Sequence, residues 1–114
     1  DSFFLDKKQV MFVSNAKEIV KEYECVQLFT NSVMLLYLLR KPSCSIFYFT
    51  ITVGSKKNQI KFNKLMSNTQ IVISDTYKNE FSPAYRLKYT NKYIQDNYEN
   101  IYEEDVWIIK KRLN

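Results

Sequence analysis

Between Glu24 and Thr90 the chain is a series of six short runs dense in β-branched and aromatic residues: CVQLFT, SVMLLYLL, SIFYFTITV, QIKFNKL, TQIVIS and AYRLKY. Each is bounded by a polar or turn-forming break, the signature of successive strands. The breaks fall at Thr30-Asn31, Arg40 to Ser43 with Pro42, Gly54 to Asn58, Ser67-Asn68 and Asp75 to Pro83. Most are too short for a crossover helix, so neighbouring strands are expected to pair antiparallel as a meander. In YRLKY the alternation puts Tyr85, Leu87 and Tyr89 on one face and Arg86 and Lys88 on the other.

The flanks read differently. In SNAKEIVKEY, Asn15 stands where an N-cap belongs and Glu18 follows three residues on. Ala16, Ile19, Val20 and Tyr23 fall at helical spacing, which predicts a short helix. Beyond Tyr93, apolar residues Ile94, Tyr98, Ile101 or Tyr102, Val106, Ile109 and Leu113 recur every three to five positions. Acidic Glu103, Glu104 and Asp105 precede basic Lys110, Lys111 and Arg112, the order a helix dipole favours, so an amphipathic C-terminal helix is predicted. Residues 1–23 then form a flank with a short helix, and residues 24–114 the domain proper. VMFV, at Val10 to Val13, fits either an extra strand or a hydrophobic patch.

A chain of 114 residues, 46% hydrophobic, buries one core. One Gly and two Pro are too few for a disordered chain or a flexible linker. The longest apolar run, Val33 to Leu39, falls far short of the roughly 20 residues that span a bilayer, so the visible chain reads as soluble. It starts at Asp1, as an excised domain would. Cys25 and Cys44 form no cluster with metal-ligand spacing, and they are expected to be buried reduced thiols.

Charge is uneven along the chain. The net of +5 divides into zero over residues 1–40, +7 over 41–92 and −2 over 93–114. GSKKNQIKFNK gathers Lys56, Lys57, Lys61 and Lys64, and LLRKPS adds Arg40 and Lys41 at a turn. Clustered cations of this kind attract phosphates on lipids or nucleic acid.

A meander of six or seven strands followed by one helix that carries the only Trp resembles pleckstrin-homology (PH) domains, and AYRLKYTNKYIQDNYENIYEEDVWIIKKRL resembles the end of that fold. The resemblance implies an α+β, mainly β architecture: a bent antiparallel β-barrel capped by one C-terminal helix through Val106, Trp107, Ile109 and Leu113. It also implies phospholipid headgroups as partners, held by basic residues of neighbouring loops, here Arg40, Lys41, Lys56, Lys57 and Lys61. With SVMLLYLL as first strand, RKPSCS becomes the lipid loop; with ECVQLFT as first strand, only Thr30-Asn31 stands there. Neither SVMLLYLL nor SIFYFTIT carries the basic residues of the phosphoinositide-binding pattern, which favours a smaller headgroup such as phosphatidic acid. A codon bias towards Asn, Lys, Ile and Tyr adds a narrower resemblance to the acylated PH proteins of apicomplexan parasites, which implies the cytosolic face of a secretory organelle membrane.

Catalysis is not expected. Histidine is absent, which removes the usual general base and the commonest metal ligand. One Gly cannot build a phosphate-cradling loop, and no cofactor or metal is expected. The function expected is recruitment of a monomer to anionic phospholipid. Two alternatives use the same residues: a protein-interaction scaffold, and a nucleic-acid binder stacking bases on Phe47, Tyr48, Phe49 and Phe62, the latter disfavoured because IFYF is uncharged and reads as core.

Overall fold

The computed structural model describes residues 7–32, 34–45 and 54–113. The first element, α1 (Lys7–Val20), buries Phe12, Val13, Ala16 and Val20, a three-to-four spacing that turns one stripe inward. It is longer than the sequence predicts. VMFV lies inside it, and Asn15 is a mid-helix residue whose side-chain amide donates to Glu104 Oε1 at 2.7 Å.

A four-stranded mixed sheet follows, built from β1 (Gln27–Phe29), β2 (Ile71–Asp75), β3 (Tyr98–Glu104) and β4 (Trp107–Arg112). Its order is β1-β2-β4-β3, with β1 and β2 parallel and the other two pairings antiparallel. The parallel pair is possible because the chain between them carries α2 (Met34–Leu39) and α3 (Lys56–Leu65), a connection long enough to return to the same end. Between β2 and β3 come α4 (Pro83–Arg86) and α5 (Lys88–Asn97).

Strand alternation separates two cores. Leu28, Ile71, Ile73, Trp107 and Ile109 face α1 and α2, meeting Phe12, Ala16, Leu35 and Leu39. Phe29, Val72 and Tyr98 face the other way, against Phe62 of α3, Met66 just after it, and Leu87 and Ile94 around α5. Helices therefore cover both faces, and β2 is buried along its whole length.

The six-to-seven-strand barrel with one capping helix is not what this chain forms. CVQLFT and TQIVIS do contain β1 and β2, but MLLYLL, KKNQIKFNKL and KYTNKYIQDN are helices. Met34–Leu39 has no β-branched residue, and Leu and Met are strong helix formers. Gln59, Phe62 and Met66 are buried at helical spacing, so a run that alternates over a few residues still presents one helical stripe. AYRLKY spans α4 and the start of α5, and SIFYFTITV lies outside the described residues apart from Ser45.

The predicted C-terminal helix is helical only as far as Asn97, the end of α5; from Tyr98 onward it is a hairpin. Trp107 and Ile109 are buried while Ile108 and Lys110 are half-buried, a period of two. Glu104 faces Trp107 across a turn in which Asp105 takes φ 55°, a left-handed conformation that Asp tolerates. The acid-then-base order places Glu99 opposite Lys111 and Asn100 opposite Lys110, whose ammonium donates to Asn100 Oδ1 at 2.7 Å. It is cross-strand complementarity. Of the predicted capping residues, Trp107 and Ile109 are strand core, Val106 is in the turn, and Leu113 is exposed just past β4.

Trp107 is fully buried, its ring 5.6 Å from that of Phe12, and its indole N–H donates to Ser32 Oγ at 3.3 Å. The single Trp thus ties β4 to α1 and to the segment leaving β1.

The cysteines are joined. A parallel bridge between Val26 and Ser43 brings their neighbours side by side, and Cys25 and Cys44 form a disulfide across 19 residues. The expectation of two reduced thiols is corrected by that pairing.

Candidate functional site

The basic residues of GSKKNQIKFNK are organised by α3. Ser55 caps it, its Oγ accepting from Asn58 N at 3.1 Å. Gln59 and Phe62 are buried, while Lys57, Ile60, Lys61 and Lys64 are exposed at the spacing of a single outward face. Three lysines thus recur at i, i+4 and i+7. Like charges four apart weaken a helix, and Lys56 and Lys57 in the first turn oppose its dipole with no acidic residue to offset them. Local stability does not account for this pattern.

The second part of the face comes from α5. Gln59 Oε1 accepts from the backbone N–H of Tyr89 at 3.0 Å and of Thr90 at 3.2 Å, and Gln59 Nε2 donates to Gly54 O at 3.1 Å. One buried side chain therefore fixes the start of α5 against the start of α3. Lys56 then lies with its ammonium 5.0 Å from the centre of the Tyr89 ring, a cation–π contact across the seam. Tyr89 remains 49% exposed and Tyr85, on α4, 59%.

Around these aromatics the layer formed by α3, α4 and α5 carries Lys56, Lys57, Lys61, Lys64, Arg86, Lys88 and Lys92. Its one acidic residue, Asp96, pairs with Lys92 at 3.1 Å. Burial lowers the pKa of the Arg86 guanidinium from its ordinary value.

Arg40 and Lys41 belong elsewhere. They follow α2, whose core residues pack on the opposite face of the sheet from those of α3. Arg40 has φ 56°, and Lys41 N bonds Leu36 O at 3.2 Å, a left-handed helix ending. The Lys41 ammonium donates to the carbonyls of Tyr23 at 2.6 Å and Lys21 at 3.3 Å, so it anchors the end of α1. With Lys17 and Tyr37 these two residues line an open cleft of about 510 Å³. The five sequence-predicted lipid contacts are therefore two groups: Lys56, Lys57 and Lys61 in one helix layer, Arg40 and Lys41 in the other.

Of the stacking residues, Phe62 is fully buried, and Phe47, Tyr48 and Phe49 lie outside the described residues. Lys88, Lys92 and Tyr89 join the layer because KYTNKYIQDN is a helix, and Tyr85 because PAYR is, so a strand reading of AYRLKY conceals them. Among the described residues no three His, Cys, Asp or Glu side chains gather as a metal site needs, and no helix is long and apolar enough to cross a membrane.

No protein-family model matches this chain, and neither a curated protein nor a solved structure matches it.

Proposed function

We propose that this domain docks on anionic phospholipid surfaces through the outward face of α3 and the adjoining start of α5. The observation that carries the reading is the lysine stripe of Lys57, Lys61 and Lys64, extended by Lys56, on a helix without a single acidic residue. An uncompensated row of like charges on an exposed helix suits a partner that is a sheet of negative charge. Exposed Ile60, Tyr85 and Tyr89 supply the amphipathic and apolar groups that rest at a headgroup boundary.

Each lysine near an anionic membrane contributes about 1 kcal/mol. Lys56, Lys57, Lys61, Lys64 and Lys88 together supply at most about 5 kcal/mol, a dissociation constant on the order of 0.1 to 1 mM. Such binding holds a domain in place only alongside a second attachment.

Nucleic acid offers the same phosphates, but the Cys25–Cys44 disulfide favours an oxidising compartment, away from the cytosol and nucleus where nucleic acid is concentrated. The same bond favours the extracytoplasmic side of the membrane over the cytosolic side.

Co-sedimentation with vesicles of neutral lipid alone and of neutral lipid with rising fractions of phosphatidic acid or phosphatidylglycerol tests the proposal. Binding should rise with anionic fraction and fall with salt. Equal binding to neutral and anionic vesicles, or none at low salt, would reject it and leave a protein-interaction scaffold.

A further inference from the structure

A second site lies at the end of the parallel pair. Where β1 and β2 end, the chain leaves a polar cleft of about 190 Å³ lined by Thr30, Asn31, Ser32, Asp75, Asn79 and Ser82, together with Tyr77. The crevice outside the carboxyl ends of parallel strands is where open α/β sheets take small ligands.

Asp75 is the group that needs explaining. Its side chain is on the last residue of β2, only 7% exposed, and among the described residues no Lys or Arg pairs with it. Its carboxylate accepts from Thr30 Oγ1 and from the backbone N–H of Tyr77 at 3.1 Å. Two bonds leave a carboxylate with capacity for more. Burial pushes the Asp75 carboxyl above the usual carboxylate range despite these two bonds.

The neighbours define what would complete it. Asn31 Nδ2 is used on Phe81 O at 2.7 Å, leaving its carbonyl oxygen. Asn79 Oδ1 accepts from Phe81 N at 2.9 Å, leaving its amide hydrogens. Ser32 Oγ accepts from the Trp107 indole and Ser82 Oγ from Asn79 N at 3.4 Å, leaving hydroxyl hydrogens to donate. The cleft thus offers acceptors and donors in alternation. A phosphate anion would bring mostly acceptors and meet the Asp75 charge, and an ammonium would bring only donors. Hydroxyl groups do both.

From this arrangement we infer that the cleft bounded by Asp75, Asn79, Asn31 and Ser32 binds a neutral polyhydroxylated ligand of about one sugar ring. Asp75 accepts from ligand hydroxyls, Asn79 and Ser32 donate to them, and Tyr77, 42% exposed, lines the same cleft.

The bond from Trp107 to Ser32 makes the only tryptophan a reporter for this cleft. The full chain, nitrogen-15 labelled, is titrated with glucose, mannose, galactose, N-acetylglucosamine and ribose, each to about 0.1 M. Ethanolamine and inorganic phosphate serve as ionic controls. At least one sugar should shift the Trp107 indole N–H resonance and the backbone of Thr30 to Ser32 saturably. Asp75→Asn should weaken that binding about tenfold or more. Asn79→Ala, at an exposed loop position, should weaken it several-fold and serves if the first variant folds poorly. The methyl glycoside of the responding sugar separates the two sources: retained binding identifies the end of a larger glycoside, lost binding a free reducing sugar. A response to ethanolamine or phosphate but to no sugar, no saturable response from the panel, or a sugar response that both variants leave intact would overturn the inference.

Discussion

Lys56 places its ammonium 5.0 Å from the centre of the Tyr89 ring, joining the first turn of α3 to the first turn of α5. Beneath that exposed contact the same junction is closed by Gln59, and the two differ in weight. A cation–π contact at the surface contributes about 0.5 to 1 kcal/mol, whereas the Gln59 carboxamide satisfies two backbone donors that open α5, one of them buried.

Gln59→Leu should therefore destabilise the domain by about 2 to 3 kcal/mol, because the Tyr89 and Thr90 N–H groups lose their acceptor. Gln59→Glu, measured at acidic pH where its carboxyl is protonated and still both accepts and donates to Gly54 O, should cost clearly less, while Lys56→Met should cost under about 1 kcal/mol. Urea unfolding of the three variants checks the ranking. Equal losses in Gln59→Leu and Gln59→Glu would show that the amide acts by packing instead.

Opening the Cys25–Cys44 bond should cost about 3 kcal/mol, the loop-closure value for a separation of 19 residues. Cys25→Ser/Cys44→Ser and the reduced wild type should show nearly the same drop in urea midpoint. Protein isolated under thiol-trapping conditions should yield no reactive thiol. Two titratable thiols in the native protein would place the chain in a reducing compartment.

Asp75 predicts an unusual pH dependence. Burial raises its folded-state carboxyl above the unfolded value of about 3.9, so the stability it permits is fully present below that value and is lost as pH rises through the folded value. Relative to wild type, Asp75→Asn should grow more stable as pH rises from about 3 to 7. Chemical denaturation of both proteins at several pH values reads this directly; a difference that stays flat, or runs the other way, contradicts an uncompensated carboxylate.

Trp107→Ala should cost about 3 to 5 kcal/mol by emptying the space beside Phe12. Trp107→Phe should recover much of that but lose the bond to Ser32 Oγ. Thermal unfolding separates them. A small effect from both would mean that the β3–β4 hairpin does not close this core.

What could be read from the sequence depended on whether one period fitted each run. TQIVIS and CVQLFT are β-branched, apolar and short, and they are strands. MLLYLL could have been separated from them by its lack of β-branched residues. The C-terminal segment was harder, since its apolar spacing and its acid-to-base order satisfy a helix as well as a hairpin pairing Glu99 with Lys111. Four consecutive β-branched or aromatic residues, Val106 to Ile109, were the local sign of a strand. The lysine cluster of α3 was visible in sequence, but its partner face on α5 was not, and the cleft at Asp75 joins residues 45 positions apart.

If α3 is the membrane-facing element, its lysines act by position; if binding follows net charge alone, any three exposed lysines serve equally. Vesicle co-sedimentation of two charge-matched variants decides between them: Lys57→Ala/Lys61→Ala/Lys64→Ala, and Lys7→Ala/Lys17→Ala/Lys111→Ala, whose lysines are exposed outside that layer. The α3 variant should lose roughly a hundredfold in affinity for anionic vesicles, about 1 kcal/mol for each lysine. The second variant should stay within about threefold of wild type. Equal losses in the two would show that net charge, and not α3, carries the binding.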